Sequence, residues 1–133
     1  MTFDLSALAA LPGVIQTAVA DDAGRLLGFD GDSEPPTAAI LVLAHATLSA
    51  ASELGRRSGS GDCHEIIQQH EGGCIYLHGL PQRRVLLVRC LNASAVPAVR
   101  TLCQNLAAPA ETQQAPRPFV TDMASALHAE PAW

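Results

Sequence analysis

"LPGVIQTAVADDAGRLLG", residues 11–28, is the stretch from which the rest of the chain can be read. Two apolar runs flank the acidic turn Asp21-Asp22-Ala23-Gly24, and Pro12-Gly13 stands directly in front. Val14 to Ala20 reads as a strand, with Val14, Ile15 and Val19 giving it apolar content on both faces. Gly24 falls where a hairpin loop built on a type I turn needs a left-handed residue, and Asp21 or Asp22 is placed to bond back to the loop amides. Arg25 to Asp30 returns as the second strand. No side chain of catalytic type projects from this hairpin, so its role is architectural.

Before it, Phe3, Leu5, Leu8 and Leu11 recur close to helical spacing until Pro12-Gly13 stops them. After it, Asp30-Gly-Asp-Ser-Glu-Pro-Pro is a loop. Asp30, Asp32 and Glu34 have the spacing of a calcium loop, but Pro35 stands at its glycine position and Leu41 at its bidentate glutamate, so the match to that motif fails. Thr37 to Arg57 is the longest element. Leu41, Ala44, Leu48, Ala51 and Gly55 form one stripe at helical spacing, and Ile40, Leu43, Thr47, Ala50 and Leu54 form a second. No charge occurs between Thr37 and Glu53. A helix with its back to water carries charges there, so both faces of this one are expected to be covered. Arg56 and Arg57 suit the last turn, where the helix dipole favours cations.

Cys63 to Glu71 reads as a polar strand, Gly72-Gly73 as a two-residue turn, and Cys74 to Leu80 as the antiparallel partner. Pro81-Gln82 turns again into Arg83 to Cys90, an apolar strand. A helix over Ser94 to Leu106 follows, with Pro97 tolerated in its first turn. The division is a domain over residues 1–107 and a flexible tail over 108–133. The tail holds four of the nine prolines, with a helical turn or two expected at Thr121 to His128.

At 133 residues and 48% hydrophobic content, the chain suits one domain with a modest core. A net charge of −5 gives no electrostatic reason to bind nucleic acid or an anionic membrane. Asp4 stands where a signal peptide carries a cation, and the apolar run Ala38 to Ala51 is about four residues short of a membrane span. The expectation is a soluble, cytoplasmic protein. Cys63, Cys74, Cys90 and Cys103 contain no Cys-x-x-Cys pair and read as reduced thiols used as small core residues. All eight basic residues are arginine. The absence of lysine excludes a Walker A loop, a Schiff-base lysine and the lysine-dependent serine hydrolases. Gly59-Ser60-Gly61 is accordingly read as a flexible connection, not a phosphate cradle.

His64, His70, His78, Cys63 and Cys74 crowd into a short segment without forming a metal site. His64 and His70 point to one face but lie about 20 Å apart along a strand. With Gly72-Gly73 as the loop, His78 lies opposite Ile67 and Cys74 opposite Glu71. No nucleophile sits in a recognisable elbow. No metal, cofactor or catalytic residue is expected.

"LPGVIQTAVADDAGRLLG", the small-residue helix ending "ASELGRR", the hairpin "HEIIQQHEGGCIYLHGL" and the strand "RVLLVRC" together resemble the roadblock/dynein light chain family, over roughly Leu5 to Leu106. The resemblance implies an α+β fold with topology α-β-β-α-β-β-β-α. Its five-stranded antiparallel sheet has the order 2-1-5-4-3, with the long helix on one face and the terminal helices on the other. It also implies a non-enzymatic homodimer that pairs third strands and long helices, acting as a partner of Ras-like small GTPases or as an adaptor. The Pro-rich tail and the two-arginine entry to the fifth strand depart from the family pattern.

The residues support the dimer independently. His64 to His70 forms an edge strand without lysine or proline, two common protections against pairing, and the long helix also demands a partner. The expected dimer interface comprises Glu65, Ile66, Ile67, Gln68 and Gln69 with Leu41, His45 and Leu48. The expected partner-binding surface comprises Ala44, Ala51, Ser52, Arg56 and Arg57. The alternative is a small-ligand sensor, which a deep apolar pocket between the long helix and the sheet would favour.

Overall fold

Residues 4–107 are described by the computed structural model. The expected tail, its boundary and the turns at residues 121–128 lie outside the described residues. The elements run α1 (Leu5–Ala9), β1 (Val14–Ala20), β2 (Leu26–Gly31), α2 (Ala38–Arg57), β3 (Glu65–His70), β4 (Gly73–Leu80), β5 (Arg84–Cys90), a 3-10 turn (Ala93–Ala95) and α3 (Val96–Ala107). The strands form one antiparallel sheet of order β2-β1-β5-β4-β3, as the resemblance implied.

Local chemistry sets the boundaries. The Asp4 carboxylate accepts from the Ala7 amide at the start of α1, and the Thr37 hydroxyl from the Ile40 amide at the start of α2. Asp21 Oδ1 accepts from the amides of Ala23 and Arg25, while Gly24 takes φ +83°. The β1–β2 turn is thus built as its residues indicate. Pro97 sits in the first turn of α3, where its missing N–H costs nothing.

The run Val85-Leu86-Leu87-Val88 is buried throughout because both faces of β5 are covered. Val85 and Leu87 meet Leu41, Ala44 and Leu48 of α2, together with Ala18, Ala20 and Leu77. On the other face, Leu86, Val88 and Cys90 meet Leu8 of α1 and Val96, Val99 and Cys103 of α3, with Tyr76 fully buried among them. The four cysteines are free thiols, and Cys74, Cys90 and Cys103 are core residues.

Three readings need correction. Gly73 is not in the β3–β4 loop: it pairs with His70, so Glu71 and Gly72 make the turn. His78 therefore lies opposite Glu65 and Cys74 opposite Gln69. The cause is a close approach, since a Cβ on Gly73 would lie 2.7 Å from the Cys90 carbonyl oxygen. The glycine serves packing within the sheet rather than the turn.

Gly59-Ser60-Gly61 is not a slack connection either. The amides of Ser60 and Gly61 both donate to the Gly55 carbonyl, at 2.7 and 3.0 Å. The segment folds back over the helix end, and a Cβ on Gly55 would collide with the Gly61 carbonyl. Gly55, in the last turn of α2, leaves room for this approach.

The third concerns length. The uncharged run is short of a span, but α2 itself extends through 20 residues, and an 18-residue stretch of it has a mean hydropathy of 1.4, enough to cross a membrane by length and composition. Its packing shows a different use. Leu41, Ala44 and Leu48 are spent on the sheet, so α2 is the core helix of one face.

Candidate functional site

The two stripes of α2 have separate fates. The stripe of Leu41, Ala44 and Leu48 is buried, at 1%, 7% and 9% exposure. The stripe of Ile40, Leu43 and Leu54 stands in solvent, at 47%, 64% and 70%. An apolar strip of this length on a helix back costs solvation unless something covers it. The charged end of the strip is organised: Glu53 accepts from Arg56 at 3.0 Å and from Arg57 at 2.6 Å, and Arg56 also reaches Asp62 at 2.5 Å.

This separation changes the expected residue lists. Leu41, Leu48 and Ala44 are packed into the protomer's own core and offer little surface to another molecule. Ser52 is engaged as well: its hydroxyl accepts from the Cys63 amide at 3.0 Å and donates to the Cys63 carbonyl at 3.3 Å, tying α2 to the approach of β3. His45 and Ala51 are half-buried on the flanks. Arg56 and Arg57 are exposed, as a charged rim requires. Ile40, Leu43 and Leu54 were legible as a stripe, yet only packing identifies theirs as the outward one.

The edge strand is present. β3 pairs with β4 on one side, and among the described residues nothing pairs with its other side. Ile67 and Gln69 are exposed, while Glu65, Ile66 and Gln68 are half-buried. Ile66 faces the α2 side, packed against that core. Exposed sheet edge and exposed helix strip are therefore both available on one protomer.

A polar network anchors the start of this edge. Tyr76 Oη donates its single proton to Glu65 Oε1 at 2.8 Å, so His78 Nδ1, 3.0 Å away, is the donor to Tyr76 Oη. Arg100 completes the set by donating to Glu65. Partial burial works against the Glu65 carboxylate, but hydrogen bonds from Arg100 and Tyr76 outweigh it and hold the group below its ordinary value. Burial pushes the Tyr76 hydroxyl strongly upward, helped by the Glu65 bond, and pushes His78 downward. Tyr76 and His78 are neutral at physiological pH. The arrangement braces structure and offers no activated nucleophile.

Beside Ile40 an open cleft of about 780 Å³ lies between the start of α2 and the sheet. Pro35, Ile75, Leu87 and the exposed Arg89 are among its lining residues. The buried Gln16 amide donates to Ser33 Oγ and to the Glu34 carbonyl, fixing the loop at its rim. Among the described residues no group of three or more His, Cys, Asp or Glu side chains is placed to hold a metal ion.

Solved structures share this fold. The Roadblock/LC7 domain from Streptomyces avermitilis superposes with a TM-score of 0.68 at 14% identity, covering 88% of this chain and 94% of that one. This chain has the roadblock/LC7 fold. The gliding protein MglB of Thermus thermophilus matches with a TM-score of 0.66 at 17% identity, over 77% of this chain and 79% of its own. MglB of Myxococcus xanthus matches with a TM-score of 0.62 at 15% identity, over 96% and 94%. No family model and no curated protein sequence matches the chain. At these identities the roadblock likeness is one of fold.

Proposed function

We propose that the protein is a non-enzymatic homodimer that regulates or adapts a Ras-like small GTPase. The observation that carries this reading is the outward apolar strip of α2, Ile40, Leu43 and Leu54, beside the unpaired edge of β3. Pairing β3 with its symmetry mate extends the sheet and satisfies the open edge. It also brings the two α2 helices side by side on one face of the extended sheet. The partner class rests on the resemblance of the sequence to the roadblock/dynein light chain family; the roadblock fold and the apolar strip with its Glu53–Arg56–Arg57 rim support it. Both arginines are held by Glu53, which favours shaping of the GTPase's own loops over insertion of an arginine into its active site.

The test is calorimetry against the small GTPases of the protein's own source, each loaded with either nucleotide. Saturable binding that Leu54→Asp weakens agrees with the proposal. No binding to any of them in either state contradicts the GTPase assignment. The cleft beside Ile40 favours one second reading, a small-ligand sensor; a ligand retained there by a protein that sediments as a monomer would select it.

A further inference from the structure

The chain is acidic overall, with a net charge of −5, but its cationic groups are unevenly placed. A cleft of about 770 Å³ opens between the C-terminal half of α2, the segment entering β3 and the β4–β5 hairpin. Arg56, Arg83, Arg84, His45, His64 and His78 contribute to its lining, three of the chain's eight cationic residues and three of its five histidines. Asp62 is the sole carboxylate residue among those described in the lining, and Arg56 already holds it. At about 100° per residue, His45 and Arg56 fall on the flank of α2 opposite Leu43 and Leu54. The cleft is therefore separate from the apolar strip and does not rest on the function proposed above.

Two arginines in it are available to a ligand. Arg84 Nε donates to the Pro81 carbonyl at 3.0 Å, which orients the guanidinium. Among the described residues no carboxylate forms an ion pair with Arg84. Arg83 pairs with Asp22 at 3.1 Å, but the two side chains are 78% and 45% exposed, and a pair so solvated exchanges readily. The turn presenting them is unusual: Gln82 and Arg83 are consecutive non-glycine residues at φ 64° and 60°. L-residues avoid this region, and where it persists it is often tied to a site.

Guanidinium forks match phosphate oxygens in paired hydrogen bonds, and the Ser49 hydroxyl adds a donor of the same use. The described lining contains no Phe, Tyr or Trp on which a nucleobase could stack. We infer that this cleft binds a compact phosphorylated small molecule, gripped through its phosphate groups by Arg84 and Arg83.

The experiment is calorimetric titration of the full chain with pyrophosphate at low salt, with thermal melts of each variant to confirm folding. One site per chain is expected, with a Kd on the order of 10⁻⁴ M. Arg84→Gln is expected to weaken it about tenfold. Arg84→Lys should fall between, because it keeps the charge and loses the fork. Arg25→Gln, at an exposed arginine outside the cleft, should leave the affinity unchanged. Absence of saturable binding, or equal losses in Arg25→Gln and Arg84→Gln, would overturn the site. A phosphoserine peptide titrated in parallel separates the two sources of phosphate: weaker binding than pyrophosphate supports the small molecule, and tighter binding overturns it.

Discussion

Arg100 of α3 grips Glu65, the first residue of β3, through two contacts: Nε to Oε1 at 3.1 Å and Nη2 to Oε2 at 2.9 Å. A helix on one face of the sheet thereby steadies the edge strand. Replacing Arg100 with Ala leaves the Glu65 carboxylate with Tyr76 as its remaining side-chain partner. Amide exchange across Glu65 to His70 should accelerate while β1 and β5 keep their protection, because the loss is local. Uniform acceleration across the whole sheet would show instead that the pair governs global stability.

The two faces of α2 predict opposite phenotypes. Leu41→Ala removes a side chain that is 1% exposed and should destabilise folding by about 2–5 kcal/mol in urea titrations. Leu43→Ser changes a side chain that is 64% exposed and should leave the fold of the protomer intact while weakening self-association. Equal destabilisation by the two substitutions would contradict the assignment of the faces.

The sequence already distinguished these stripes, but not their directions. Both are apolar, and helical spacing alone does not say which of them the chain's own sheet will occupy. That is why Leu41, Ala44 and Leu48 read as surface when they are core. The β1–β2 hairpin was legible because Asp21 and Gly24 act within the loop they form. The β3–β4 register was not, because Gly73 answers to the Cys90 carbonyl in another strand. The Glu65–Arg100 pair joins residues 35 positions apart, beyond any local pattern. The likeness in order and spacing of short motifs was enough for the fold, since elements of strong periodicity determine which layers can form.

Acid should destabilise the protein in two steps. Burial lowers His78 from its ordinary value of 6.5, so the folded state favours the neutral ring. That contribution is present above pH 6.5 and is lost as pH falls from there through the folded value. Glu65 is likewise held below its ordinary 4.5, and its contribution disappears at lower pH still. His78→Asn keeps a donor near the position of Nδ1 and should flatten the first step without moving the second. An unchanged first step, followed by urea midpoints across pH, would assign it to another group.

Thiol reactivity should divide the cysteines. Burial raises Cys74, carries Cys90 to about 11 and Cys103 to about 12, while Cys63 is half-buried. Only thiolates react quickly. Titration of the native protein with a disulfide reagent should therefore modify Cys63 first and the other three on the timescale of unfolding. Rapid modification of all four would contradict the packing of the face covered by α1 and α3.

Self-association through β3 and the outward strip of α2 is the central claim, and sedimentation equilibrium of the unmodified chain tests it most directly. At tens of micromolar (a common working range for dimers of ordinary affinity), the account predicts twice the 13.9 kDa chain mass. Ile67→Pro, which removes an amide donor from the edge, should shift that value towards the single chain. A mass of 13.9 kDa for the unmodified protein would contradict the account.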